Sequence, residues 1–250
     1  MDEKRLASLK ELEGRLGHQF GDIGWLNKAL MHRSFANEKD RSDKQSNEIL
    51  EFLGDAVLNL AVGYILHQKF SEAREGTLSM WRAHLVKQRS LALLSRELQL
   101  EEYLLLGKGE QLNGGTKKSS ILANAYEALI GAIFMDGGFQ QALKIIQNHF
   151  EPYLRTDTPT VIFHDYKSLL QIYSQQARGM SPQYRVLKES GPDHDKRFQA
   201  SVVIQGDVMG IGWGKTKKEA EQEAAQKALE SLQIADSRLQ TEKTLPAVGR

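Results

Sequence analysis

Cysteine is absent from the 250 residues. That excludes disulfide staples, thiol nucleophiles, iron–sulfur clusters and zinc sites built on thiolates. It suits a reducing compartment, so a cytoplasmic location is expected. Proline is scarce, at 5 residues, while 40% of the chain is apolar and 26% charged. Collagen-like and disordered compositions are excluded by those proportions. No uninterrupted apolar run reaches the roughly 18 residues of a spanning helix, so no membrane association is expected. The opening MDEKRLASLK lacks the apolar core of a secretory signal. The chain also lacks a dominant charge, with a formal net of +1. The first 150 residues hold 19 acidic and 19 basic side chains, and the remainder 13 and 14. Affinity for a polyanion must then come from local patches.

What is present reads as two regions. Leu6, Leu9, Leu12 and Leu16 recur at helical spacing, as do Ile49, Leu50, Leu53, Val57, Leu60 and Ile65, and again Leu85, Leu91, Leu94 and Leu98. The stretch Ile121 to Met135 is rich in Ala, Leu and Ile and meets a stop signal at Asp136-Gly137-Gly138. A further helix is expected from Phe139 to Tyr153. No strand pattern is found in this region, which therefore reads as all-α. Near residue 155 the texture changes. A short polar linker (156–163) precedes a helix from Tyr166 to Ala177. Three strand-like runs follow, Gln183 to Lys188, Phe198 to Gln205 and Val208 to Gly212, and an Ala-rich helix from about Lys217 to Leu232. The expected architecture is an all-α domain over 5–155, then a small α+β (α-β-β-β-α) domain over 164–234. Residues 235–250 are expected to be frayed.

Carboxylates carry the chemistry of the first region. Glu48, Glu51 and Asp55 are spaced by 3 and 4 and so share one helix face. Like charges stacked this way repel by a few tenths of a kcal/mol per exposed pair. Partial burial raises the cost unless a cation sits among them. Such a triplet is ordinarily a solvated acidic face, but Phe52, Leu53, Ala56 and Val57 leave little room for one. Asn124 and Glu127, spaced by 3, interrupt the otherwise apolar stretch that starts at Ile121. A carboxylate there is expensive unless paired or metal-bound. Two helices presenting oxygen ligands inward suggest a hard divalent cation, Mg²⁺ or Mn²⁺ rather than zinc.

These residues carry a family resemblance. Asn47 to Leu58, NEILEFLGDAVL, resembles the signature of bacterial ribonuclease III. Ala29 to Phe35 (ALMHRSF), Leu106 to Glu110 (LGKGE) and Ile121 to Asp136 are similar to the same family in the family's order. The likeness runs from about residue 5 to 233. It implies a double-strand-specific endoribonuclease that works as a homodimer with Mg²⁺, Mn²⁺ being a possible substitute, and needs no small-molecule cofactor. By that resemblance Glu51, Asp55, Asn124 and Glu127 occupy the metal positions, with Asp55 and Glu127 catalytic. Glu48 and Glu75 match acidic positions of the cleft. Phe52 matches a residue that enters a pocket of the partner subunit; ordinary core packing is its alternative. Hydrolysis would leave 5′-phosphate and 3′-hydroxyl ends with short 3′ overhangs. Ribosomal RNA precursors and structured transcripts are the implied substrates.

One departure stands out: the family usually has Asp where this chain has Asn124. Asn keeps a ligating carbonyl oxygen but no charge. Three readings follow. Asn124 is a natural variant with weaker metal affinity, or an inactivating change, or the mark of a protein that binds duplex RNA without cutting it. The intact surroundings favour the first.

In the second region Asp165 to Gln171, Gly191-Pro192-Asp193-His194 and Lys215 to Glu221 resemble a double-stranded-RNA-binding domain. Lys215, Lys217 and Lys218 crowd a helix N-terminus, where the dipole and free N–H groups already favour anions. A solvated cluster balanced by Glu219, Glu221 and Glu223 is the plain alternative. By resemblance Gln171 and His194 reach successive minor grooves while the lysines grip phosphates between them. Ile172 stands where the family often has Glu, which weakens the expected first-helix contact.

Other candidates are set aside. The histidines show no metal-binding spacing, and His32 is expected to make a structural hydrogen bond. Gly107-Lys108-Gly109 is not a phosphate-binding P-loop. Arg82, Lys87 and Arg89 read as a solvated helix face.

Overall fold

The computed structural model describes residues 1–38, 45–154, 166–192 and 196–243. The chain divides into two compact units, Met1–Pro159 and Thr160–Arg250. The proposed linker and His194 lie outside the described residues.

The first unit is helical. In order it contains α1 (Glu3–Leu16), α2 (Ile23–Ala29), α3 (Arg33–Glu38), α4 (Glu48–Lys69), α5 (Glu75–Leu85), α6 (Gln88–Glu97), α7 (Lys108–Leu112) and α8 (Ser119–Phe150). Local chemistry sets the ends. The Asp2 carboxylate accepts from the Arg5 N–H at the start of α1, and Gly17 closes it at φ 67. The Asp22 carboxylate caps α2 by accepting from the Gly24 N–H. The expected stop at Asp136-Gly137-Gly138 is where α8 breaks into two helical halves, the second being the helix expected from Phe139. Gly138 takes φ 73 and ψ −177, a conformation open essentially to glycine alone, and helix resumes beyond it. One residue pair, Met31 and Leu105, forms an isolated parallel bridge where no strand pattern is found in the sequence.

The core is built around α4 and α8. Leu50, Val57, Leu58, Ala61, Val62, Ile65 and Leu66 of α4 are buried with Leu122, Tyr126, Leu129, Ile130 and Ile133 of α8. The apolar stripe expected on α4 is corrected in part: Ile49 and Leu60 are exposed and belong to a second row with Phe52 and Tyr64. By length and composition α4 could cross a bilayer. Its buried face against α8 and its three carboxylates make it a core helix instead.

The second unit contains α9 (Tyr166–Arg178), β1 (Gln183–Ser190), β2 (Arg197–Ile204), β3 (Asp207–Gly214) and α10 (Lys217–Lys243). The strands form an antiparallel sheet in the order β1-β2-β3. Its core joins Leu170, Val202, Ile204, Ala224, Ala225, Ala228, Leu229 and Leu232. Gly210, Gly212 and Gly214 let α10 lie directly on β3. A Cβ at Gly212 would stand 2.2 Å from the Ala224 nitrogen, and one at Gly210 2.3 Å from the Ala224 carbonyl oxygen. The fraying expected from residue 235 is corrected, because α10 continues to Lys243. Residues 233–243 contain neither Gly nor Pro, so nothing in them stops a helix.

Candidate active site and RNA-binding surface

Two glycines set the geometry of the acidic site. A Cβ on Gly54 of α4 would stand 1.8 Å from the Glu127 carbonyl oxygen, and one on Gly131 of α8 2.2 Å from the Leu50 carbonyl oxygen. The two helix backbones therefore touch. Glu51 and Asp55 flank Gly54 on one helix, and Asn124 and Glu127 precede Gly131 on the other. Sequence reasoning passed over both glycines. The signal was available, since a glycine inside a helix costs about 1 kcal/mol against alanine and is kept for close approach.

Electrostatics bind the four side chains into one group. Burial pushes the Glu127 carboxyl up to about 7, and the negative charges of Asp55 and Glu51 add to the shift. Burial raises Glu51 as well, and the negative charges of Glu48 and Asp55 add to the shift, while a hydrogen bond from the Asn124 side chain and the Arg33 charge offset part of it. Asn59 donates to the Asp55 carboxylate at 2.8 Å. Among the described residues no three Asp, Glu or His side chains stand close enough to hold an ion as they are. The donor chemistry still fits a hard divalent cation: the group is oxygen-only, partly buried and uncompensated.

Beside this group lies a cavity of about 760 Å³. Glu48, Glu51 and Asn124 line it together with His32, Arg33 and Lys118. Its cations are held by acids: Arg33 lies 3.6 Å from Glu48, and Lys118 donates to Glu110 at 2.6 Å. His32 bonds Ser34 Oγ at 2.9 Å, and Ser34 Oγ accepts from the Gly107 N–H. These bonds seat the Ala29–Phe35 stretch against the Leu106–Glu110 segment, which opens α7. Burial lowers the His32 pKa. Glu75 stands outside the cavity wall. It opens α5, where it accepts from Ser79 at 2.8 Å. Phe52 is 79% exposed, which removes core packing within the chain as its role.

The lysines of the second unit open α10. The Glu219 N–H donates to Thr216 Oγ1, and the Glu219 carboxylate accepts from the Lys215 N–H. This reciprocal cap fixes the helix start. Glu221 pairs with Lys167, and Glu223 pairs with Lys227 while accepting from the Trp213 N–H. Of the three glutamates that could have balanced the cluster, Glu221 and Glu223 are engaged elsewhere, and Glu219 is held at the helix start by the Lys215 N–H. Lys215, Lys217 and Lys218 are exposed, and Lys217 rests over the Phe198 ring at 5.7 Å. Gln171 is exposed on α9.

A helical unit with a partly buried carboxylate site, followed by an α-β-β-β-α unit with a basic helix N-terminus, defines a nuclease class that acts on duplex RNA. The comparisons agree. Residues 22–154 match the Ribonuclease-III-like family model, and residues 166–232 the double-stranded RNA binding motif. Ribonuclease 3 of Syntrophobacter fumaroxidans is 45% identical over 233 residues, 92% of this chain and 96% of that protein. Ribonuclease 3 of Borreliella burgdorferi is 42% identical over 230 residues, 92% of this chain and 94% of that protein. A solved nuclease domain of ribonuclease III from Campylobacter jejuni, described for flexibility in a region involved in dimer formation, is 42% identical. It covers 58% of this chain and 96% of its own, at a TM-score of 0.54. The chain belongs to the ribonuclease III family and is an endoribonuclease of double-stranded RNA.

Proposed function

We propose that the chain cleaves duplex RNA by Mg²⁺-assisted hydrolysis at Glu51, Asp55, Asn124 and Glu127, leaving 5′-phosphate and 3′-hydroxyl ends with short 3′ overhangs. The observation that carries the reading is the partly buried, uncompensated carboxylate group where α4 and α8 touch. A divalent cation there would supply an activated water and charge stabilisation of the leaving oxygen. The chain's own part is to hold Glu127 in a poorly hydrated crossing beside the exposed Asp55 and to offer the Asn124 carbonyl oxygen. Glu48 and Glu75 are assigned to substrate handling. In the second unit Lys215, Lys217 and Lys218 grip phosphates, while Gln171 and His194 reach minor grooves.

The working form in this reading is a homodimer. The exposed row Ile49, Phe52, Leu60 and Tyr64 on α4 supports it, as does the dimer-forming region of the Campylobacter relative. Ribosomal RNA precursors and structured transcripts in the cytoplasm are the proposed substrates.

The test is a denaturing gel of long duplex RNA with Mg²⁺ and with EDTA, beside a Glu127→Gln control. Metal-dependent cleavage that the control abolishes is the expected result. Duplex binding without cleavage in Mg²⁺ or Mn²⁺ would instead support the non-catalytic alternative that Asn124 raises. Asn124→Asp adds a fourth negative charge and is expected to lower the Mg²⁺ concentration for half-maximal cleavage. An unchanged or higher requirement would count against Asn124 as a ligand.

A further inference from the structure

The second unit has two faces, and the lysine surface uses only one side of it. The helices cover the sheet face that carries Ala200, Val202 and Ile204. The opposite face follows from the register. Arg185, Ser201 and Ile211 form one cross-strand row, and Lys188, Gln199 and Trp213 the next. Gln183, Val203 and Val208 form a third.

This open face is divided by strand. β3 contributes Val208, Ile211 and Trp213, all exposed, with Trp213 at 41%. β1 contributes Arg185 and Lys188, both exposed, and the nine positions include no carboxylate. Ser201 is buried between them, so the floor is small and polar. Cations and the aromatic wall stand two strand spacings apart, about 10 Å. Successive rows lie about 7 Å apart along the strands. Glu189, the nearest acid on β1, falls on the other face and pairs with Lys196 at 3.3 Å.

We propose that this face binds unpaired RNA, stacking a base on Trp213 and holding the backbone with Arg185 and Lys188. A duplex buries its base faces and cannot use an exposed indole, whereas an unpaired strand presents both a base face and its phosphates. The net +2 of the face complements a polyanion, and a wholly apolar partner would leave Arg185 and Lys188 uncompensated. The site would let the enzyme recognise single-stranded nucleotides that flank its duplex substrate. The inference goes beyond the duplex-cleaving activity and does not depend on the metal assignment.

The test uses the full chain in EDTA with a fluorescein-labelled decauridylate, which cannot pair, and in parallel a labelled duplex. Trp213→Ala is expected to weaken decauridylate binding about tenfold, and Trp213→Phe to restore most of it. Arg185→Glu with Lys188→Glu should weaken it further and lower the salt slope by about 1.4. Duplex affinity in EDTA, and duplex cleavage measured separately with Mg²⁺, should stay within about twofold of the parent, which also shows that the variants fold. Lys217→Ala with Lys218→Ala should do the reverse, costing duplex more than decauridylate. The proposal is overturned if decauridylate affinity is the same in all the face variants. It is also overturned if those variants shift sedimentation of the free protein while RNA binding is unchanged, because the face then docks a second copy.

Discussion

Both units use glycine to bring a helix against a neighbour, but they do opposite things with the closeness. In the first, Gly54 and Gly131 let α4 and α8 touch, and the crossing gathers carboxylates into a place water reaches poorly. In the second, Gly210, Gly212 and Gly214 let α10 lie on β3, and the contact leaves its basic N-terminus in solvent. Catalysis needs concentrated charge, so the first unit carries an electrostatic cost in its ground state. Phosphate binding needs accessible charge, so the second unit keeps its core apolar and its lysines outside.

The contrast can be broken at its root. Gly131→Ala places a methyl about 2 Å from the Leu50 carbonyl oxygen and must push the helices apart. An overpacked crossing is expected to lose about 1–3 kcal/mol of stability. A displacement of about 1 Å at the carboxylates is expected to cut cleavage about a hundredfold. Duplex binding by the second unit should survive. Melting and single-turnover cleavage measure the two halves of that statement, and full activity in this variant would refute the role given to the close approach.

A smaller effect is expected at the other site. Replacing both Lys217 and Lys218 by Ala should weaken duplex binding about tenfold and lower the salt slope by about 2, one unit for each lost phosphate contact. Cleavage at saturating RNA should change little. An unchanged slope in a salt titration would mean that these lysines do not touch phosphate.

The smallest effect on activity is expected from acid, which separates the units by stability and leaves cleavage at neutral pH untouched. Tyr126 is buried in the first unit and pairs through its hydroxyl with His149 Nδ1 at 2.9 Å. Burial pushes the His149 pKa down to about 4. The unfolded chain takes up that proton first, near pH 6.5. Stability from the neutral imidazole is therefore complete above pH 6.5 and drains away as pH falls towards 4, by roughly 3 kcal/mol. Calorimetry between pH 7 and 4 should show the first unit's transition falling. His149→Gln should flatten that dependence. The core cluster of the second unit holds no comparable buried base.

Much of this was legible in the sequence. The i, i+3, i+4 spacing placed Glu48, Glu51 and Asp55 on one face, and alternation with turn residues marked three strands close to where they form. Those are local patterns, which spacing alone encodes. The α4 stripe was read as one face when it is two, because an apolar residue looks the same whether it faces this chain's core or an exposed row. Glu75 opens α5 outside the cavity wall, a placement that residue spacing does not encode.

By itself, then, the sequence determined the element types, the order of the two regions, the oxygen-only character of the acidic group and the neutral Asn124 within it. Only the tertiary structure decided that Gly54 and Gly131 press α4 on α8, that Phe52 is exposed, and that Glu221 and Glu223 are engaged away from the lysines. Each of these depends on which atoms of distant segments meet. Helical and strand periodicity follow from the backbone next door, whereas burial, charge balance and close approach are properties of the packed whole.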